Sequence, residues 1–239
     1  MSVFSVFAHL VERLADLLAP LCHASATAAA IVLFTALVRL LVHPLSRAAA
    51  RGQRARAALQ PRIAELRRRH AKDPERLRQA VLELHTEEKV SPLSGILPGL
   101  LQLPAFFLLY HLFSGAGGAG GDLLAHRLFA APLGGRWADA LAGDGLFGGA
   151  GVVYLGLFAL VAAVASFNYL RTKRQMAQNP VMASAAGGEA VPGLGAVGKV
   201  MPFLSFLTLV TVAVVPLAAA LYVVTSTTWS ALERAALYR

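Results

Sequence analysis

Arg39 is the single charge in the apolar stretch 31–44, IVLFTALVRLLVHP. At a helix centre in lipid a guanidinium costs roughly 2.5–3.5 kcal/mol, so this side chain should face protein or water. If the span starts near Ala24, Arg39 lies about 22 Å along the axis of a hydrocarbon core roughly 30 Å thick. The remaining distance to the inner edge, about 8 Å, is within range of a snorkelling side chain. Snorkelling and a buried, functional cation fit these residues equally well. The other polar side chains in apolar runs are Gln102, Asn168, Ser205, Thr208, Thr211, Thr225, Ser226, Thr227 and Thr228. Amides and hydroxyls in spans ordinarily join helices. Beside an arginine, with no acid within the uncharged runs, they also fit a wet, positive groove: a binding surface, not a reactive centre.

Reactive chemistry finds little support. The seven histidines are scattered, and no pair has zinc-helix spacing, so no metal is expected. Ser166 and His111 could be paired as a protease dyad only without any surrounding motif. The glycine tract GAGGAGG at 115–121 lacks the Gly-Lys-Ser/Thr of a phosphate loop and reads as linker. No cofactor is expected, and the chain is not expected to be an enzyme.

The elements that must position Arg39 follow from the apolar patterning. The chain is 56% hydrophobic and 15% charged, far below the roughly 25% charge of a soluble domain. Uncharged runs at 17–38, 90–121, 145–170 and 200–232 are each long enough to cross a bilayer. The last is ambiguous: as one helix its 33 residues would be roughly 50 Å long. Splitting it at Pro216 gives two short spans. The expected order is an interfacial amphipathic helix (1–23), a first span (24–43), a cytoplasmic basic helical hairpin (44–94) and a second span (95–113). An extracytoplasmic glycine-rich loop (114–150), holding one short helix near 123–129, then leads to a third span (151–170) and a cytoplasmic loop (171–199). The fourth and fifth spans (200–215 and 216–233) and a short tail (234–239) complete the chain. The fold class is all-α polytopic membrane protein.

Charge sets the orientation. Residues 44–94 carry twelve Lys/Arg against six acids, and Arg171, Lys173 and Arg174 follow the third span. The positive-inside rule puts these segments in the cytoplasm, the N-terminus outside and the C-terminus inside. Within the basic segment Ala55, Leu59, Ile63 and Leu66 recur at helical spacing. Asp73-Pro74-Glu75 then starts a second helix striped by Leu77, Val81 and Leu84. Arg51, Arg54, Arg62, Arg67, Arg68 and Arg69 would meet anionic lipid or incoming polypeptide. Without aromatic interleaving or a binding motif, no specific nucleic acid is expected. Cys22 excludes an internal disulfide, and the residues before it do not suit lipid attachment.

Arg39 with HPLS, LQPRIAEL (59–66), EEKVSPLSG (87–95), LPGLLQLPAFFLLYHLF (97–113), MPFLSFLTL (201–209) and VPLAAALYVVTSTTW (215–229) resemble, in order and spacing, the YidC/Oxa/Alb family of membrane protein insertases. APLGGRWADAL (131–141) is similar to its compact bacterial members. The resemblance implies a bacterial plasma membrane protein with five helices around a hydrophilic groove, open to the cytoplasm and lipid and closed outside. Arg39 matches the positive residue of that groove, with Gln102, Asn168, Thr208, Ser226 and Trp229 as further lining candidates. It implies insertion of nascent membrane proteins without nucleotide, with a Sec translocon and the ribosome as further partners to test. The alternative kept open is a channel or transporter using Arg39 as an anion site. It needs a path to the outside, and no inverted repeat is evident.

Overall fold

The computed structural model describes residues 3–90, 124–177 and 200–237. The block 95–113 expected as a second span, with Gln102, the tract at 115–121 and residues 178–199 of the loop expected at 171–199 lie outside these residues. What is described is mostly helical. Stretches within residues 9–69 and Gly149–Met176 are long and apolar enough to cross a membrane.

Helix α1 (Val3–Cys22) and helix α2 (Ala26–Arg69) are joined by the tight turn His23–Ser25, where His23 takes a φ of +46°. So short a turn folds α1 back along α2, with Val11 buried in the core and Leu14 and Leu18 packed against it. Leu10, Leu17 and Leu21 stay exposed on the other face. α1 is therefore a packed helix with one apolar face still uncovered, an arrangement suited to lipid.

α2 continues for 44 residues, through Pro44 and Pro61, from the apolar stretch into the basic segment. Each proline removes one backbone hydrogen bond but leaves the axis continuous. The far half of α2 packs on helix α3 (Pro74–Glu87) through Leu59, Ile63 and Leu84, flanked by Leu66, Val81 and Val90. Asp73 caps α3, its Oδ1 accepting from the Arg76 amide at 3.1 Å, with Pro74 in the first turn. The arginines at 51, 54, 62, 67, 68 and 69 are exposed, so this hairpin carries its charge outward.

Residues 124 and 125 are helical, within the helix expected near 123–129, but the rest of the segment 124–148 is not the expected loose connection. Strands β1 (Arg127–Leu128) and β2 (Ala131–Pro132) form a small antiparallel hairpin, followed by helix α4 (Trp137–Ala142). Ala131 and Leu133 are fully buried. The Phe129 amide donates to Ser25 Oγ at 3.2 Å, tying the hairpin to the α1–α2 turn. Trp137 packs edge-on against Phe158 and beside Tyr154, both on helix α5 (Gly149–Ala177).

Helix α6 (Leu207–Val214) is preceded by a 3-10 segment, Met201–Phe206. At about 2.0 Å per 3-10 residue and 1.5 Å per α residue, these fourteen positions reach roughly 24 Å, farther than an α-helix of equal length. Val215 is extended ahead of Pro216, and helix α7 (Leu217–Leu237) then begins. At this corner the Leu217 and Ala218 amides donate to the carbonyls of Gly135 and Leu133, both at 2.9 Å. Tyr154 Oη also donates to the Gly135 carbonyl at 2.7 Å. The 124–148 segment therefore caps one end of the helix bundle with directed hydrogen bonds.

Beneath the cap, Ala28, Ala30 and Ile31 of α2, Leu157 and Val161 of α5, Val212 of α6, and Ala218, Ala220, Leu221 and Val224 of α7 form one core. Small residues let the backbones approach closely, as packing in lipid requires. Leu37, Leu40 and Leu41 of α2 and Leu207, Val210 and Val214 of α6 are exposed apolar side chains. Such a surface fits a hydrocarbon surround.

Where α5 leaves the cap, a Cβ on Gly151 would lie 2.4 Å from the Leu146 carbonyl oxygen and 2.5 Å from that of Gly145. Backbone cannot yield there without moving the cap. Gly151→Ala should lower stability by about 1–3 kcal/mol, read as an earlier thermal unfolding transition in detergent. An unchanged transition would contradict this packing.

Candidate functional site

α2 and α7 carry the polar contacts of the bundle interior. Arg39 lies thirteen residues into α2, about 20 Å from the capped end. It is half-buried, and its Nη2 donates to Ser226 Oγ on α7. Ser226 itself is buried. One turn further along α2, His43 Nδ1 lies 2.5 Å from Glu233 Oε1 of α7. Moving forward on α2 corresponds to moving forward on α7, so the two helices run parallel, both away from the cap. The charged hairpin and the end of α7 therefore share one end of the molecule.

Both pairings follow from helical periodicity. Arg39 and His43 are four residues apart and share a face of α2. Ser226 and Glu233 are seven apart, two turns, and share a face of α7. Ser230 lies between them on that face, its hydroxyl donating to the Ser226 carbonyl at 2.9 Å. Thr225 and Thr227 likewise donate to carbonyls one turn back, at 2.7 and 2.8 Å. Back-bonding of this kind satisfies a hydroxyl in an apolar helix without a partner helix.

Of the residues singled out from sequence, Arg39 and Ser226 are brought together. Trp229 follows Ser226 by three residues on α7 and is half-buried. Thr208 spends its hydroxyl on the Ser205 carbonyl at 2.8 Å, within the turn that opens α6. Asn168 sits on α5, fourteen residues past the cap-bound Tyr154 and so about 21 Å below it, close to the depth of Arg39. Gln102 lies outside the described residues. In the hairpin, Arg62 pairs with Glu88, and Arg69 with Glu65 at 2.6 Å. These are exposed pairs of little energetic weight. His43 and Glu233 were not anticipated. Glu233 is the first residue beyond an uncharged run, and its partner is 190 positions away in the chain.

Among the described residues, Asn168 Oδ1, Thr228 Oγ1 and Trp229 Nε1 are buried polar atoms without a hydrogen-bond partner. Thr228 and Trp229 share a turn of α7 at roughly 18 Å from its start, near the depth of Arg39. Unsatisfied polar atoms are unfavourable in a dry interior. All three lie at about one depth, and none has its partner among the described residues.

The model of the 60Kd inner membrane protein family matches residues 18–239, nearly the whole chain. The chain belongs to this family. Curated relatives with local similarity include the membrane protein insertase YidC of Clostridium perfringens (strain 13 / Type A). It is 41% identical over 85 residues, 36% of this chain and 36% of that protein. The protein of the same name from Shewanella woodyi is 44% identical over 82 residues, 34% of this chain and 15% of the relative. The one from Magnetococcus marinus is 42% identical over 81 residues, again 34% and 15%. The aligned stretches thus span about a third or less of these relatives. For a 60Kd inner membrane protein, the apolar helices described above are the expected vehicle, and a membrane setting is where their exposed leucines belong.

The unpartnered indole yields a direct check. Placing benzothienylalanine at position 229 alone keeps the bicyclic ring of Trp229 and removes an N–H that has no acceptor among the described residues. It should leave the melting transition in detergent unchanged or raise it. A loss above about 1 kcal/mol would mean that the N–H is satisfied after all.

Proposed function

We propose that this chain is a membrane protein insertase and chaperone of the bacterial plasma membrane, working without catalysis or cofactor. In this reading five spans, including the segment at 95–113, surround a hydrophilic groove open to the cytoplasm. Arg39 is the receptor for polar outer tails of nascent membrane proteins, above all those carrying a carboxylate. Asn168, Ser226 and Trp229, with Gln102 and Thr208, line the same groove. The exposed arginines 51, 54, 62, 67, 68 and 69 meet anionic lipid and incoming chain on the cytoplasmic side, where a Sec translocon or ribosome would also be found.

One observation carries this reading: a half-buried guanidinium bonded across to Ser226 inside an apolar helix pair. Family membership and the relatives named membrane protein insertase supply the reaction class. The hydrogen-bonded cap supports closure on the outer side and opposes a through-pore. The basic hairpin at the opposite end supports an orientation with the N-terminus outside and the C-terminus in the cytoplasm.

The physical logic is a shortened dry path. A polar tail enters a wet groove to mid-membrane depth and is held there by charge-assisted hydrogen bonds. The apolar part of the substrate moves past the exposed apolar helices into lipid, and its own burial drives the step. No nucleotide is needed for that.

Depletion in cells followed by complementation tests the proposal. Losing a hydrogen bond to a charged group is worth about 1.5–3 kcal/mol, so Arg39→Ala should cut insertion of single-span substrates with acidic outer tails roughly 10- to 100-fold. Arg39→Lys should restore part of it, since a point charge replaces the planar fork. Full complementation by Arg39→Ala would overturn the groove mechanism.

A further inference from the structure

The His43–Glu233 contact has no part in the mechanism just described, yet it lies one turn from its central residue. Glu233 keeps 11% of its side-chain exposure and His43 keeps 34%. A carboxylate so nearly buried is stable only while it is hydrogen-bonded. The cation one turn back on α2 is Arg39, about 6 Å from His43 along the axis, a span that arginine and glutamate side chains extended toward each other can cover. Arg39, proposed to receive acidic segments from outside the molecule, therefore has an acid of its own chain within reach.

We propose that His43 holds Glu233 against α2 and so prevents this carboxylate from capturing Arg39. The pair then determines how well the site takes acidic segments. This rests on the reading of Arg39 as their receptor. With His43 in place, Glu233 has a partner and Arg39 stays beside Ser226. Without it, the buried carboxylate is drawn to the guanidinium, an internal ion pair forms, and an incoming acid must displace it. His43 and Glu233 are positioning residues: neither touches the substrate.

The geometry favours this over a simple clamp between helices. Ser226 and Glu233 occupy the same face of α7 two turns apart, and Arg39 and His43 the same face of α2 one turn apart. The two polar contacts are consecutive rungs between the same pair of helices, and exchange of partners needs side-chain motion only.

The test compares two single-span reporters, identical except for an acidic or a neutral outer tail, inserted by full-length protein in depleted cells at matched protein level. His43→Leu should lower insertion of the acidic reporter about tenfold relative to the neutral one, the scale of one hydrogen bond to a charged group. His43→Asn, whose Nδ2 takes the place of Nδ1 and can donate to Glu233, should behave as the parent. The double variant His43→Leu with Glu233→Gln removes the competitor and should restore the acidic reporter. If His43→Leu does not accumulate, His43→Phe, which keeps the bulk of a ring and has no donor, supplies the same comparison. Equal insertion of both reporters by the single variant overturns the proposal. A double variant as defective as the single one also overturns it, leaving a helix clamp. Arg39→Ala, run alongside, separates the levels. If it is defective while His43→Leu is not, only this proposal fails. If it inserts the acidic reporter normally, the reading beneath fails and takes this proposal with it.

Discussion

A guanidinium in the middle of an apolar helix must be given polar company, and the rest of this molecule is arranged around that requirement. Arg39 cannot be left against lipid and finds Ser226 on a parallel helix. That contact demands that α2 and α7 lie side by side and run the same way. The alanines at 28, 30, 218 and 220 allow it, because small side chains bring the backbones together above the polar rung. The depth of the rung is set from the other end, by where the cap fixes the starts of α2, α5 and α7.

The cap is the second constraint. A turn at Val215–Pro216 would leave amides exposed at the start of α7, and Gly135 and Leu133 accept from them. Tyr154 ties the same loop to α5, and Ser25 ties it to the α1–α2 turn. Three helices are thereby pinned at one end by hydrogen bonds, those of α7 backbone to backbone and the other two through the Tyr154 and Ser25 side chains. Toward the other end the polar level appears, where atoms of Asn168, Thr228 and Trp229 have no partner among the described residues. Closure by hydrogen bonds at one end supports the proposed entry of polar chain from the other end.

Much of this was legible in the residues and some was not. Arg39 stood out because a lone charge in an apolar run is rare. The start of α3 could be read from Asp73-Pro74-Glu75 because capping is a local interaction. The cap could not be read: strands of two residues have no periodicity, and glycine-rich sequence looks like linker whether or not it folds. The continuity of α2 through Pro44 and Pro61 was hidden by the change from apolar to basic composition, which marks a change of surroundings rather than a break in the helix. Glu233 escaped notice because it sits just beyond an uncharged run. Its pairing with His43 depends on the rotation of two distant helices, which sequence spacing within either helix does not reveal. Rotation also separates Ser226, which meets Arg39, from Thr208, whose hydroxyl turns back onto its own chain.

The central claim is that the residue at position 39 is reached by water from the cytoplasmic side alone. A single cysteine at position 39, in a chain with Cys22→Ser, can be probed with a membrane-impermeant maleimide in inverted and right-side-out vesicles. Modification in the inverted vesicles and protection in the right-side-out ones is the expected result. Labelling from the outer face, or from neither face, would contradict the account.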